Sequence, residues 1–118
     1  MPDNEKESTE VKLEVNGAKV NDKVIVKLRK AIIANGDEVK ELTFREPTAG
    51  DIERVGTNPV NIEQVGETGK LKVTFDTKAM SHMMSILAAV PPSTIRQMNP
   101  KDWNTAAWEL ASFFMPDL

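Results

Sequence analysis

The chain contains no cysteine, a single histidine and no long apolar run, and each shortage removes a class of function. Without cysteine there is no disulfide framework and no thiolate metal site, which fits a reducing compartment. With no thiol and only His82, a His/Cys nucleophile pair cannot be built. The longest nearly unbroken apolar stretch, Ile86 to Val90, falls far below the roughly 20 residues that cross a bilayer. No glycine-rich run leads into a GK[ST] sequence, so a phosphate loop is absent. Carboxylates at calcium-loop spacing are missing as well. Basic charge is in deficit, with 15 Lys and Arg against 18 Asp and Glu for a net −3. That balance argues against a dedicated nucleic-acid binder, which needs a concentrated basic face. The polar N-terminus lacks the apolar stretch of a signal peptide. These shortages lead to the expectation of a soluble intracellular protein that is not an enzyme, with no cofactor, metal, nucleic acid or membrane partner.

What the sequence does contain is a set of well-punctuated elements. At 118 residues it is long enough for one compact domain that buries about two-thirds of its unfolded surface. Residues 1–10 carry no large apolar side chain after Met1 and read as a tail. Val11, Leu13 and Val15 alternate ahead of Asn16-Gly17, and so allow a short edge strand within an extension covering residues 1–22. Residues 23–115 then read as a single α+β domain, with 116–118 as its C-terminal end.

From Val24 to Lys30 the residues Val24, Val26 and Leu28 share one face, the period of a strand. Asn35-Gly36-Asp37 turns the chain, and residues 38–45 return. A three-residue loop sets Leu28 opposite Phe44 and Lys30 opposite Leu42. A two-residue Asn-Gly loop in an unbroken ladder would split the apolar set between the faces. The longer loop or a bulge is therefore expected. The basic run from Lys27 to Lys30 looks across at Glu38 and Glu41 and reads as a balanced strand face.

A sharp corner follows in "ELTFREPTAGDI", residues 41–52. Leu42 and Phe44 face inward, and Pro47 cannot continue a ladder. Thr48 is placed to cap a new helix, with Asp51 at its positive end and Gly56 as its stop. Gly50 lies within its first turn. Arg45 and Glu46 read first as architecture, with contact to a partner as the alternative. Residues 56–69 are rich in turn formers and read as a loop, followed by a short strand over Leu71, Val73 and Phe75.

Asp76 or Thr77 caps an amphipathic helix that runs to about Ala89, where Pro91-Pro92 ends it. Its apolar arc carries Met80, Met83, Met84 and Leu87, while His82 lies on the polar arc without an orienting partner and reads as a surface residue. Ser93 to Met98 reads as a single helical turn. The last helix has Asn99 as cap, Pro100 at its first position and Pro116 as its close. Its core stripe is Trp103, Ala106, Ala107, Leu110, Phe113 and Phe114. The expected fold is α+β, an N-terminal antiparallel hairpin with room for three to four short strands, packed on a C-terminal helix pair, with a short helix after the hairpin.

Two features suit a binding surface. Methionine is flexible and polarizable, so Met80, Met83 and Met84 are candidate partner contacts, although a methionine stripe at helical spacing is also ordinary core. Trp108 and Met115 lie off the main stripe of the last helix, where they either anchor a partner or sit beneath a wider core.

Three stretches resemble the tail assembly chaperones of contractile-tailed, Mu-like bacteriophages and related prophages: "ELTFREPTAGDI", "ILAAVPPSTIRQM" and "NPKDWNTAAWELASFF", the last with Asp102 and Phe113 or Phe114 in matching places. Residues 1–22, the stretch from Arg54 to Phe75, and Trp108 depart from that pattern. The resemblance implies a non-catalytic assembly factor of the infected bacterial cytoplasm, absent from the finished virion. Its implied partners are the tape measure protein, the tail tube protein and a frameshifted longer form of the chain itself. The alternative is a structural tail tube or baseplate accessory protein retained in the particle.

Overall fold

A computed structural model describes residues 23–115. The expected tail, the edge strand around Leu13 and the closing role of Pro116 lie outside them. The element order is β1 (Lys23–Ala34), β2 (Asp37–Arg45), α1 (Ala49–Val55), β3 (Val60–Val65), β4 (Lys70–Phe75), α2 (Thr77–Ala88), α3 (Pro92–Ile95) and α4 (Pro100–Ala111). The fold is α+β, with two antiparallel two-stranded sheets, β1–β2 and β3–β4.

The first hairpin turns on two residues. Asn35 and Gly36 have φ values of 54° and 86°, the left-handed pair that matches strand twist and favours Asn-Gly. This loop keeps the apolar set together because the ladder is broken by a bulge. Lys27 pairs with Glu41 and Ile32 with Val39, so residues 28–31 face Lys40 alone. Beyond the bulge Val24 lies opposite Phe44 and Val26 opposite Leu42. The Leu28–Phe44 and Lys30–Leu42 pairings expected from a three-residue loop are thereby corrected.

The inner face of this hairpin supplies Val24, Val26, Ile32, Leu42 and Phe44 to a core completed by α2, α3 and α4. From α2 come Met80, Met83, Met84 and Leu87; from α4 come Ala106, Ala107, Leu110 and Ala111. Small alanines on α4 let the helix approach β1 closely, and the unbranched methionines fill the space above β2.

Residues 56–69 are not simply a loop. Val60–Val65 forms β3, which pairs with β4 in register from Val60–Phe75 to Val65–Lys70. Only Val60 and Ile62 carry its inward period, and the Gly, Asn and Pro residues before them hide the strand. Period two places Val60, Ile62, Leu71, Val73 and Phe75 on one face. Burial falls along that face, from Val60 in the core to Leu71 at 52% exposure.

Helix ends follow the capping chemistry read in the sequence. The Asp76 carboxylate accepts from the Ala79 amide at 3.0 Å, and Asn99 Oδ1 accepts from the Lys101 amide at 2.9 Å. Gly56, at φ 97°, stops α1 and donates its amide to the Ile52 carbonyl at 2.8 Å. In α2 the left-handed stop is Ala89, at φ 56°.

Candidate functional site

The corner at residues 41–52 is closed by charge. Arg45 makes a two-pronged bond to Asp51, Nη1 to Oδ2 at 2.8 Å and Nη2 to Oδ1 at 3.0 Å. Asp51 Oδ2 also accepts from the Thr48 amide at 2.9 Å and its hydroxyl at 3.2 Å, so the carboxylate reaches back to the N-cap as in half of a capping box, while the Asp51 amide donates to the Thr48 carbonyl at 3.0 Å. Hydrogen bonding from the Arg45 guanidinium holds the Asp51 carboxyl well below the usual carboxylate range, burial opposes that shift, and Thr48 adds to it. The same bond raises Arg45. Leu42 and Phe44 are buried in the core, and Pro47 is half-buried between strand and helix. Both prongs of the Arg45 fork are committed to Asp51, and the bond ties the end of β2 to the first turn of α1. Glu46 remains exposed and contributes its carbonyl to Arg45 at 3.2 Å. A Cβ on Gly50 would meet only Thr48 Oγ1, at an ordinary 3.5 Å.

A second set of polar residues holds the free edge of β1. Asp102, 2% exposed in the first turn of α4, accepts from the Arg29 amide at 2.9 Å and the Lys30 amide at 3.3 Å, both inside the bulge. Gln97 clamps Ile33, accepting from its amide at 2.9 Å and donating to its carbonyl at 3.1 Å. The Thr94 hydroxyl donates to the same carbonyl at 2.8 Å. Side chains thus take the place of a third strand and shield an edge that would otherwise recruit one. Local sequence does not reveal these roles, since each contact spans 61 to 73 residues. The one hint is an aspartate in the first turn of α4 beside a helix already capped by Asn99.

The candidate partner residues divide. Met80, Met83 and Met84 are 0% exposed, so the methionine trio is core and does not line the surface. The hairpin's inner face needed covering, and the trio covers it. Trp108 is 53% exposed on α4, whereas Met115, 38% exposed, falls beyond the end of that helix at Ala111, so the shared helical flank expected for the two is corrected. Trp108 stands edge-on to Phe75 at a centroid distance of 5.0 Å. Phe75 also meets Trp103 edge-on at 6.4 Å, and the Trp103 indole N–H donates to Ser81 Oγ at 2.9 Å. Sharing the hairpin face with Val73 and Leu71, Phe75 joins Trp108 to an apolar strip that runs out along β4. The sequence marks Trp108 and the strand of Leu71, Val73 and Phe75 separately, but not the long-range Phe75–Trp108 contact that joins them.

His82 is exposed on α2. Lys27 pairs with Glu41 across the first hairpin, as expected, while Glu38 lies opposite Ile33 instead. Among the described residues no three His, Cys, Asp or Glu side chains are grouped to hold a metal ion, and no helix is long and apolar enough to cross a membrane.

The geometry defines a small α+β scaffold with a braced sheet edge and an exposed aromatic strip. The family model for phage tail assembly chaperone proteins, described as "E, or 41 or 14", matches residues 25–115, and the chain belongs to that family. No curated protein and no solved structure matches it.

Proposed function

We propose that this protein is a non-catalytic tail assembly chaperone that binds the tape measure protein, tail tube subunits, or both, during tail morphogenesis. It acts in the host cytoplasm and is left out of the mature virion. Family membership over residues 25–115 supports the assembly role. The observation that carries the binding surface is Trp108, over half exposed yet held edge-on against Phe75. A large aromatic fixed in place but open to solvent is a typical interface anchor, because little side-chain entropy is lost when it is covered. With Leu71, Val73 and Phe75 it forms a surface suited to the apolar stripe of a helix. Long helical proteins such as tape measures present such stripes before the tube encloses them. A longer frameshifted product sharing this domain would carry the same surface.

The test is co-purification with tape measure fragments, comparing Trp108→Ala and Leu71→Ser with the unaltered chain. Reduced capture by folded variants supports the reading, and unchanged capture contradicts it.

A second reading, a tube or baseplate accessory retained in the particle, draws on one observation: β3–β4 is a sheet of only two strands. Structural subunits can extend such edges from copy to copy. Mass spectrometry of purified particles separates the two, since stoichiometric protein there favours the structural role.

A further inference from the structure

A groove of about 500 Å³ lies between the polar face of α2 and the α3 turn, lined by Thr77, Lys78, Ser81, His82, Pro92 and Arg96. We infer that it receives the carboxylate side chains of an acidic amphipathic helix whose apolar stripe docks on the adjoining Trp108–Phe75 strip. This names the chemistry of the partner and rests on the binding surface proposed above.

Three observations support it. The lining holds two cationic side chains, an imidazole and two hydroxyls, and no carboxylate. Such a set is rich in donors and lies in a chain where acidic residues outnumber basic ones. Second, the side chains of Lys78, His82 and Arg96 form no hydrogen bond or ion pair with any described residue. The carboxylate next in sequence, Asp76, is engaged in capping α2, accepting from the Ala79 amide at 3.0 Å. Third, side-chain contacts link the groove to the aromatic strip. Ser81, which lines it, accepts the Trp103 N–H at 2.9 Å, and this leaves the serine O–H free to donate. Trp103 touches Phe75, and Phe75 touches Trp108.

The occupant is a carboxylate-bearing helix and not a nucleic acid. The groove presents only two cationic side chains, far fewer than the extended basic face a nucleic acid needs. A helix with an apolar stripe flanked by glutamates meets both halves of the surface at once.

The experiment uses two synthetic peptides of about five turns with the same leucine stripe, one flanked by Glu and the other by Gln. Binding is followed by fluorescence anisotropy at low and high salt. The Glu peptide should bind roughly threefold to tenfold more tightly at low salt, as expected for two solvent-accessible charge pairs. High salt should shrink that preference, and Lys78→Glu/Arg96→Glu should reverse it. Both side chains are exposed, so the double variant is expected to fold, which circular dichroism checks. Equal binding of the two peptides, with Trp108→Ala still weakening both, overturns the acidic-partner inference and leaves the apolar surface standing. Failure of both peptides to bind overturns the inference, and Trp108-independent capture of tape measure fragments would then overturn the surface too.

Discussion

Asp102→Ala is the most informative substitution away from the binding surface, because one carboxylate there supports a defect in a strand 72 residues away. The bulge takes the Arg29 and Lys30 amides out of the ladder with β2, and Asp102 Oδ2 accepts from both, at 2.9 and 3.3 Å. Hydrogen bonds to a charged acceptor contribute about 1.5–3 kcal/mol each, and the longer bond belongs at or below the low end. Both amides are only part-buried, so water replaces some of what is lost. The expected net cost is about 2–3 kcal/mol, a large share of the roughly 5–15 kcal/mol that holds a domain together. For a domain of this size that lowers Tm by about 10–20 °C. Asp102→Asn keeps an acceptor and should cost about half as much. Urea unfolding measures the loss, and hydrogen exchange locates it: protection should fall first at Arg29 and Lys30. A change below about 0.5 kcal/mol, or unaltered exchange at those amides, would refute the claim that Asp102 supports the bulge.

Three other outcomes follow from the core and the corner. Arg45→Gln should destabilise by about 1–2 kcal/mol at neutral pH, a figure discounted because the arginine side chain is 45% exposed. Since the Asp51 carboxyl titrates below its unfolded value, its contribution is complete above the ordinary carboxylate range and disappears as pH falls through that range and lower. The gap between Arg45→Gln and the unaltered chain should therefore close with acidification; a gap independent of pH would dissociate the pair from stability. Gly50→Ala should leave stability unchanged or raise it by up to about 1 kcal/mol, because the methyl meets only an ordinary contact in a helix. A clear loss in thermal unfolding would show that the glycine is required. Met84→Ala, at a position with no exposure, should cost about 2–4 kcal/mol in chemical denaturation. A near-neutral result would return the methionine trio to the surface.

Much of the fold was legible because its signals are local. Pro47, Thr48, Asp51 and Gly56 each mark a backbone event within a few residues, and the caps at Asp76 and Asn99 do likewise. The register of the first hairpin was not legible. Period two shows that Val24, Val26, Leu42 and Phe44 belong together, but the bulge that lets Asn35-Gly36 close the turn depends on Asp102, which the chain supplies much later. The same distance hides the clamp of Thr94 and Gln97 on Ile33. β3 was missed for a different reason: its inward period has two residues, Val60 and Ile62, and the polar residues around them read as a loop. Leu71, Val73 and Phe75 were legible as a strand, but their junction with Trp108 was not, because the Phe75–Trp108 contact joins distant parts of the chain. The methionines posed a question of volume, which only the hairpin's apolar area could decide.

The stretches that carry the family resemblance mostly brace the scaffold: Arg45 with Asp51 at the corner, Thr94 and Gln97 on the edge, and Asp102 on the bulge. Trp108 is exposed and takes no part in these braces. The central claim is tested most directly by measuring the affinity of folded Trp108→Ala for tape measure fragments beside the unaltered chain. Loss of an anchoring tryptophan should weaken binding roughly tenfold or more while the Tm moves little. Equal affinity in the two proteins would contradict the account.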